Sequence, residues 1–118
     1  MSRDYNLYLN DILESCKKAR GYVSGLTFEG FSADGKTIDA VVRNLEIIGE
    51  AVKSVPPEIL SSQPQIDWKR IRRFRDIIAH YYFKVDLEVV WGITQENIVE
   101  LEAAVSAIMA DLKRVEGE

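Results

Sequence analysis

Arg75 and His80 stand five residues apart in the run Trp68-Lys69-Arg70-Ile71-Arg72-Arg73-Phe74-Arg75-Asp76-Ile77-Ile78-Ala79-His80-Tyr81-Tyr82. His80 is the only histidine of the chain, and imidazole is the one side chain whose ordinary pKa lies close to neutrality. An imidazole that can take or give a proton, set beside arginines that can hold phosphoryl oxygens, suits metal-independent cleavage of RNA. A base removes the ribose 2′-OH proton, the oxygen attacks phosphorus, and an acid protonates the leaving 5′-oxygen. Arg75 offers a planar fork of donors to the charge that develops on phosphorus, and Tyr82 offers a hydroxyl to orient the phosphate. The bland alternative is a structural histidine at a helix end, with Arg75 a surface charge and the tyrosines packing groups.

Helical geometry constrains this trio. At about 100° per residue, Arg75 and Tyr82 lie within roughly 20° of one another, whereas His80 is about 140° round from Arg75. One straight helix does not put all three on one face. Arginine's reach, a helix that ends or distorts near His80, or a second protomer would reconcile them. A symmetric dimer also turns one histidine per chain into two, enough for both a general base and a general acid.

Five of the seven residues 69–75 are cationic: Lys69, Arg70, Arg72, Arg73 and Arg75. Such a cluster can recruit phosphates even though the 118-residue chain carries a net charge of −4. The competing reading is a solvated helix face paired with acids nearer the C-terminus, notably Glu96, Glu100, Glu102 and Asp111. Arg43, Glu46 and Glu50 form a polar stripe at spacings of three and four, either supporting the site or forming an ion-pair ladder.

The elements that must position these groups read as helices throughout. Tyr8, Leu9, Ile12, Leu13, Cys16, Ala19 and Val23 make the apolar face of a first helix over about 4–23. Thr27 caps a short turn carrying Phe28 and Phe31, and Asp34-Gly35 signals a turn. A second long helix begins near Thr37, carries Ile38, Val41, Val42, Leu45, Ile48, Val52 and Val55 inward, and stops at Pro56-Pro57. A short helical turn follows around Glu58-Ile59-Leu60. Asp67 caps the basic helix, with Trp68, Ile71, Phe74 and Ile78 on its buried side. Asp86 caps a last segment from Leu87 to about Val115, with Leu87, Val90, Ile98, Leu101, Val105, Ile108 and Leu112 inward and a bend expected at Gly92. No alternating strand pattern competes. The expectation is one all-α domain over residues 1–118, a bundle of about four main helices with short helical turns.

Composition supports that class: 47% hydrophobic and 29% charged residues suit a globular domain with one core. No apolar run approaches a membrane span, and Met1-Ser2-Arg3-Asp4 lacks a signal core, so a cytoplasmic protein is expected. Cys16, the lone cysteine, sits on an apolar helix face and reads as a small buried hydrophobe. One cysteine and one histidine do not make a usual zinc site, and no cofactor motif is present.

Around the motif the chain resembles the HEPN superfamily, specifically the HepT-like toxins of two-gene toxin–antitoxin systems. Arg75, four residues, His80, one residue, Tyr82 is that family's motif. The block from Ala40 to Ala51, Trp68 upstream, and the stretch from Phe83 to Trp91 match it as well. Where members commonly carry Gly-Met before the motif arginine, this chain has Arg73-Phe74. The resemblance implies a dimerising all-α bundle that acts as an RNase in a cleft between protomers, with Arg75 and His80 catalytic. It also implies a partner, a minimal nucleotidyltransferase antitoxin of the MntA type, which in some members transfers AMP from ATP to the motif tyrosine, here Tyr82. A rival to the nuclease reading is a non-catalytic helical subunit that helps such an enzyme dock its substrate.

Overall fold

The computed structural model describes the backbone of residues 2–80 and 86–117 and the side chains of residues 5–77 and 86–115. Every regular element among these is helical: α1 Ser2–Val23, α2 Phe28–Ser32, α3 Gly35–Lys53, α4 Pro57–Leu60, α5 Trp68–Arg72, α6 Phe74–His80, α7 Leu87–Gly92, a π-helical turn Ile93–Asn97, and α8 Ile98–Gly117. The all-α expectation holds. Among the described residues, no helix is long and apolar enough to cross a membrane.

Local sequence chemistry sets most of the helix starts. Thr27 Oγ1 accepts from the Gly30 amide at 3.0 Å, Asp67 Oδ1 from Arg70 at 3.0 Å, and Asp86 Oδ1 from Glu88 and Val89 at 3.1 and 3.2 Å. Each satisfies amides that a first helical turn leaves unpaired. Asp34-Gly35, expected as a turn, is instead the start of α3. Asp34 Oδ1 accepts from the Thr37 amide and Oδ2 from the Thr37 hydroxyl, and these bonds hold its carboxyl below the usual range. Pro56-Pro57 both follows α3 and opens α4, with Pro57 in the first turn where a missing N–H costs nothing.

The long helices α1, α3 and α8 carry the core, with α1 packed between α3 and α8. Leu9, Ile12, Cys16, Ala19 and Val23 of α1 are buried against Val41, Leu45, Ile48 and Val52 of α3 and Leu101, Val105 and Ile108 of α8. Arg20 clasps Glu102 with two hydrogen bonds, 2.9 and 3.0 Å, across the α1–α8 seam. Among the described side chains, which do not include the expected inward residue Ile78, the stripes match those read from spacing, with one exception. Tyr8, placed on the inward face of α1, is 38% exposed.

Two departures have backbone causes. The basic helix is broken at Arg73, which caps α5 with φ −93° and ψ 5° before α6 begins at Phe74. Trp68, Ile71 and Phe74 are buried on both sides of this elbow. In the last segment the irregularity is not a bend at Gly92, which is regular helix with φ −58° and ψ −40°. It is the wide turn at Ile93–Asn97, which buries Ile93 and Thr94. Thr94 Oγ1 donates to the Trp91 carbonyl at 2.7 Å there, and the Trp91 ring packs against Phe28 and Phe31 at 6.2 and 5.4 Å.

Cys16 is fully buried, as its place in the stripe predicts. Burial pushes its thiol up to about 12, Glu102's charge adding to the shift and Arg20 opposing it. A thiol-specific alkylating reagent at pH 8 should therefore modify native protein on the order of a thousandfold more slowly than unfolded protein. Equal rates would contradict this burial. A second check concerns glycines. A Cβ at Gly49 would stand 3.2 Å from the Ile71 carbonyl oxygen, while at Gly21 it would meet nothing within 4 Å. Gly49→Val should destabilise the fold by about 1–3 kcal/mol, whereas Gly21→Ala should leave it unchanged or stabilise it by up to about 1 kcal/mol. Paired thermal melts measure both.

Candidate functional site

Gly49 sits where α3 crosses the elbow between α5 and α6. A Cβ there would lie 3.2 Å from the Ile71 oxygen, 3.4 Å from Phe74 Cβ and 3.6 Å from the Arg75 amide nitrogen. The bare backbone of Gly49 lets α3 approach the second short helix closely enough for Arg75 to emerge beside the next α3 residue, Glu50. Arg75 Nη1 lies 3.5 Å from Glu50 Oε1, and Lys53 Nζ reaches the same oxygen at 3.3 Å. The Lys53 ammonium first, and Arg75 second, hold the Glu50 carboxyl below its usual range. The Arg75 side chain remains 61% exposed, so its fork is both anchored and open to a ligand.

Along α3 from Glu50, the positions three and four residues apart lead into an open groove of about 390 Å³. Arg43 and Glu46 line it with Glu50, Arg75 stands at one side, and Tyr8 and Asp11 of α1 close the other. The structure thus gathers Arg43, Glu46 and Arg75 around one space. Of the α3 stripe, only Glu50 takes part in an ion pair among the described residues, so the stripe is not a ladder of mutual pairs. Sequence reading missed Tyr8 and Asp11 as groove residues. Their spacing of three places them on one face, but Tyr8 was absorbed into the apolar stripe.

The rest of the basic run faces elsewhere. Lys69, Arg70 and Arg73 line a second open groove of about 310 Å³ with Asp67 and Ile77, sharing no residue with the first. Arg72 is half-buried and lines neither. Of the four acids expected as alternative partners, Glu102 pairs with Arg20 and Asp111 with Arg114, while Glu96 and Glu100 form no ion pair among the described residues. Among the described residues, no carboxylate lies within ion-pair distance of Lys69, Arg70, Arg72 or Arg73. The elbow at Arg73 has thereby split one run of charge into a cationic groove and an anchored single arginine.

His80 is the last residue of α6, about 1.4 turns beyond Arg75 on the same short helix. Its ring, and all of Tyr82, lie outside the described residues. A short helix that begins at a fixed elbow carries Arg75 and His80 as one unit, so whatever orients the arginine also orients the start of the histidine's segment. An anchored, exposed guanidinium with two further cationic positions nearby is suited to holding phosphoryl oxygens.

The comparisons with known proteins bear on what that arrangement serves. The family described as Ribonuclease HepT-like matches residues 12–108, nearly the whole helical bundle. A protein of Methanocaldococcus jannaschii, provisionally named an RNase, is 38% identical over 116 residues, 98% of this chain and 93% of its own. A protein of Thermococcus cleftensis, provisionally named ribonuclease HepT, is 40% identical over 102 residues, covering 86% of this chain and 93% of its own. A provisionally named RNase of Caldanaerobacter subterraneus subsp. tengcongensis is 40% identical over 102 residues, 86% and 91% of the two chains. No solved structure matches the chain. On a family match spanning residues 12–108, and relatives this similar over nearly their full lengths, the chain belongs to the HepT-like ribonuclease family.

Proposed function

We propose that this chain is a metal-independent endoribonuclease, the toxin of a toxin–antitoxin pair, working as a homodimer with its site in the cleft between protomers. The observation that carries the reading is Arg75: an exposed guanidinium, tethered to Glu50 and open to solvent, on the same short helix as the chain's one histidine. Imidazole of His80 removes the 2′-OH proton, the 2′-oxygen bonds to phosphorus, and the bond from phosphorus to the 5′-oxygen breaks. The second protomer's imidazole protonates that oxygen. The products are a 2′,3′-cyclic phosphate and a 5′-hydroxyl, so atoms balance without a metal or added water. Arg75 takes the charge that develops on the phosphoryl oxygens, and Lys69, Arg70, Arg72 and Arg73 hold flanking backbone phosphates, contacts that position RNA without reading its sequence.

Control by a minimal nucleotidyltransferase antitoxin completes the reading. That partner transfers AMP from ATP to the Tyr82 hydroxyl and releases pyrophosphate. The new phosphodiester and nucleotide then occupy the RNA cleft and engage its arginines, as added phosphate does elsewhere.

Arg75→Ala and His80→Ala should each lower RNA cleavage at least about a hundredfold and relieve growth arrest when the chain is expressed alone, with unchanged thermal melting. Cleavage by wild type should persist in EDTA. A wild-type chain that leaves RNA intact, or activity lost to chelator, would overturn the proposal. After incubation with the antitoxin and ATP, intact mass should rise by AMP units in wild type and not in Tyr82→Phe. Additions that persist in that variant would move the acceptor elsewhere.

A further inference from the structure

The groove beside Arg75 is poorly made for phosphate. Asp11, Glu46 and Glu50 face it against Arg43 and Arg75, and with Lys53 held on Glu50 these charges balance, so the groove offers an anion no net attraction. A nucleotide has one part that is neutral, flat and polar at its edge: the base. We propose, resting on the reading of Arg75 as a phosphate ligand, that this groove is a base subsite selecting bases with an exocyclic amino group, cytosine over uracil above all, with Glu46 as the reader.

The residues fit that occupant one by one. Arg75 stands at the side of the groove with an exposed fork, so a phosphate there puts the attached nucleotide's base within reach of the interior. The volume of about 390 Å³ falls within the range of small-molecule sites. Tyr8 leaves 38% of its surface open and Ile47 is half-buried behind the same lining, an aromatic face and an apolar wall of the kind on which single-stranded bases stack.

Edge selection follows from the carboxylates. Ionised, they only accept hydrogen bonds, so a base settles against them only through an N–H. Glu50 Oε1 is already taken by Lys53 and Arg75. Glu46 is half-buried between Arg43 and Glu50 on α3 and has no ion-pair partner among the described residues. Cytosine presents its N4 amino group where uracil presents the O4 carbonyl. With the 4-position facing Glu46, the first donates to the carboxylate and the second opposes it lone pair to lone pair; uracil's N3–H reaches Glu46 only if the base shifts along the groove. A site built to accept a particular donor rejects the analogue that lacks it.

Two oligonucleotides of equal length and charge, tetracytidylate and tetrauridylate, differ only on that base edge, at the 4-position and at N3. Their affinities should be measured by fluorescence anisotropy on the full-length His80→Ala chain, which binds without cutting. The cytosine oligomer should bind at least about fivefold more tightly. Glu46→Gln, whose amide donates as well as accepts, should bring the two within about twofold while thermal melting stays unchanged. Tyr8→Ala should weaken both oligomers alike, by about tenfold. Equal affinities in the parent, a preference for uracil, or discrimination that survives Glu46→Gln would each overturn the proposal. Because the readout is binding, a wild-type chain that cuts no RNA would defeat the nuclease reading and leave this one to be decided separately.

Discussion

Contact between the backbone of Gly49 and the elbow at residues 71–75 is the constraint on which the site depends. Burial of apolar stripes holds α1, α3 and α8 together, and many sequences with that spacing would form such a bundle. Apolar burial is not directional, so it does not say where one polar side chain emerges. The glycine does. With an oxygen 3.2 Å from where its Cβ would be, α3 and the α5–α6 elbow have little freedom to slide. That fixed crossing puts Glu50, the very next residue, beside the guanidinium of Arg75. An exposed pair of this kind contributes little to stability. Its value is in limiting where the arginine points.

Most of the helical plan was legible in the sequence, because it rests on local chemistry. Caps at Thr27, Asp67 and Asp86 satisfy nearby amides, and the stripes of α1, α3 and α8 repeat at helical spacing, both visible within a few residues. The elbow at Arg73 was not legible. Trp68, Ile71 and Phe74 keep three-residue spacing straight through it, and that spacing reports which way side chains point, not whether φ and ψ stay helical. Tyr8 was misassigned for a related reason: a tyrosine at the border of an apolar stripe suits either the core or a groove wall. The meeting of Arg43, Glu46 and Arg75 depends on α3 crossing α6, a pairing of distant segments that local pattern does not encode. The motif residues Arg75 and His80 were found through chemistry and family resemblance, and the elbow then showed why the run around them is not one face.

Charge is distributed with the same economy. The chain is acidic overall, yet Lys69, Arg70 and Arg73 form a cationic groove in which, among the described residues, the only acidic lining residue is Asp67, already accepting from the Arg70 amide as a helix cap. On the other side of the elbow, Arg75 is balanced by Glu50, and Glu50 in turn by Lys53. A strong, sequence-blind attraction for polyanions therefore sits on one surface, and a mixed-charge groove able to discriminate sits on the other. The short helix α6 divides them.

The π-helical turn at Ile93–Asn97 sets the phase of everything after it. On a regular helix, eight residues from Val90 to Ile98 would leave the two about 80° apart, and the same mismatch would carry on through Leu101, Val105 and Ile108. One residue looped into a wide turn takes back roughly 100°, bringing all five onto the buried face. The turn works as a rotational offset between two half-helices, one keyed to the aromatic cluster of Phe28, Phe31 and Trp91, the other to α1. The number of residues between those two docking surfaces is thus counted as strictly as their identities, and a gene losing or gaining one codon there would turn α8 on its axis.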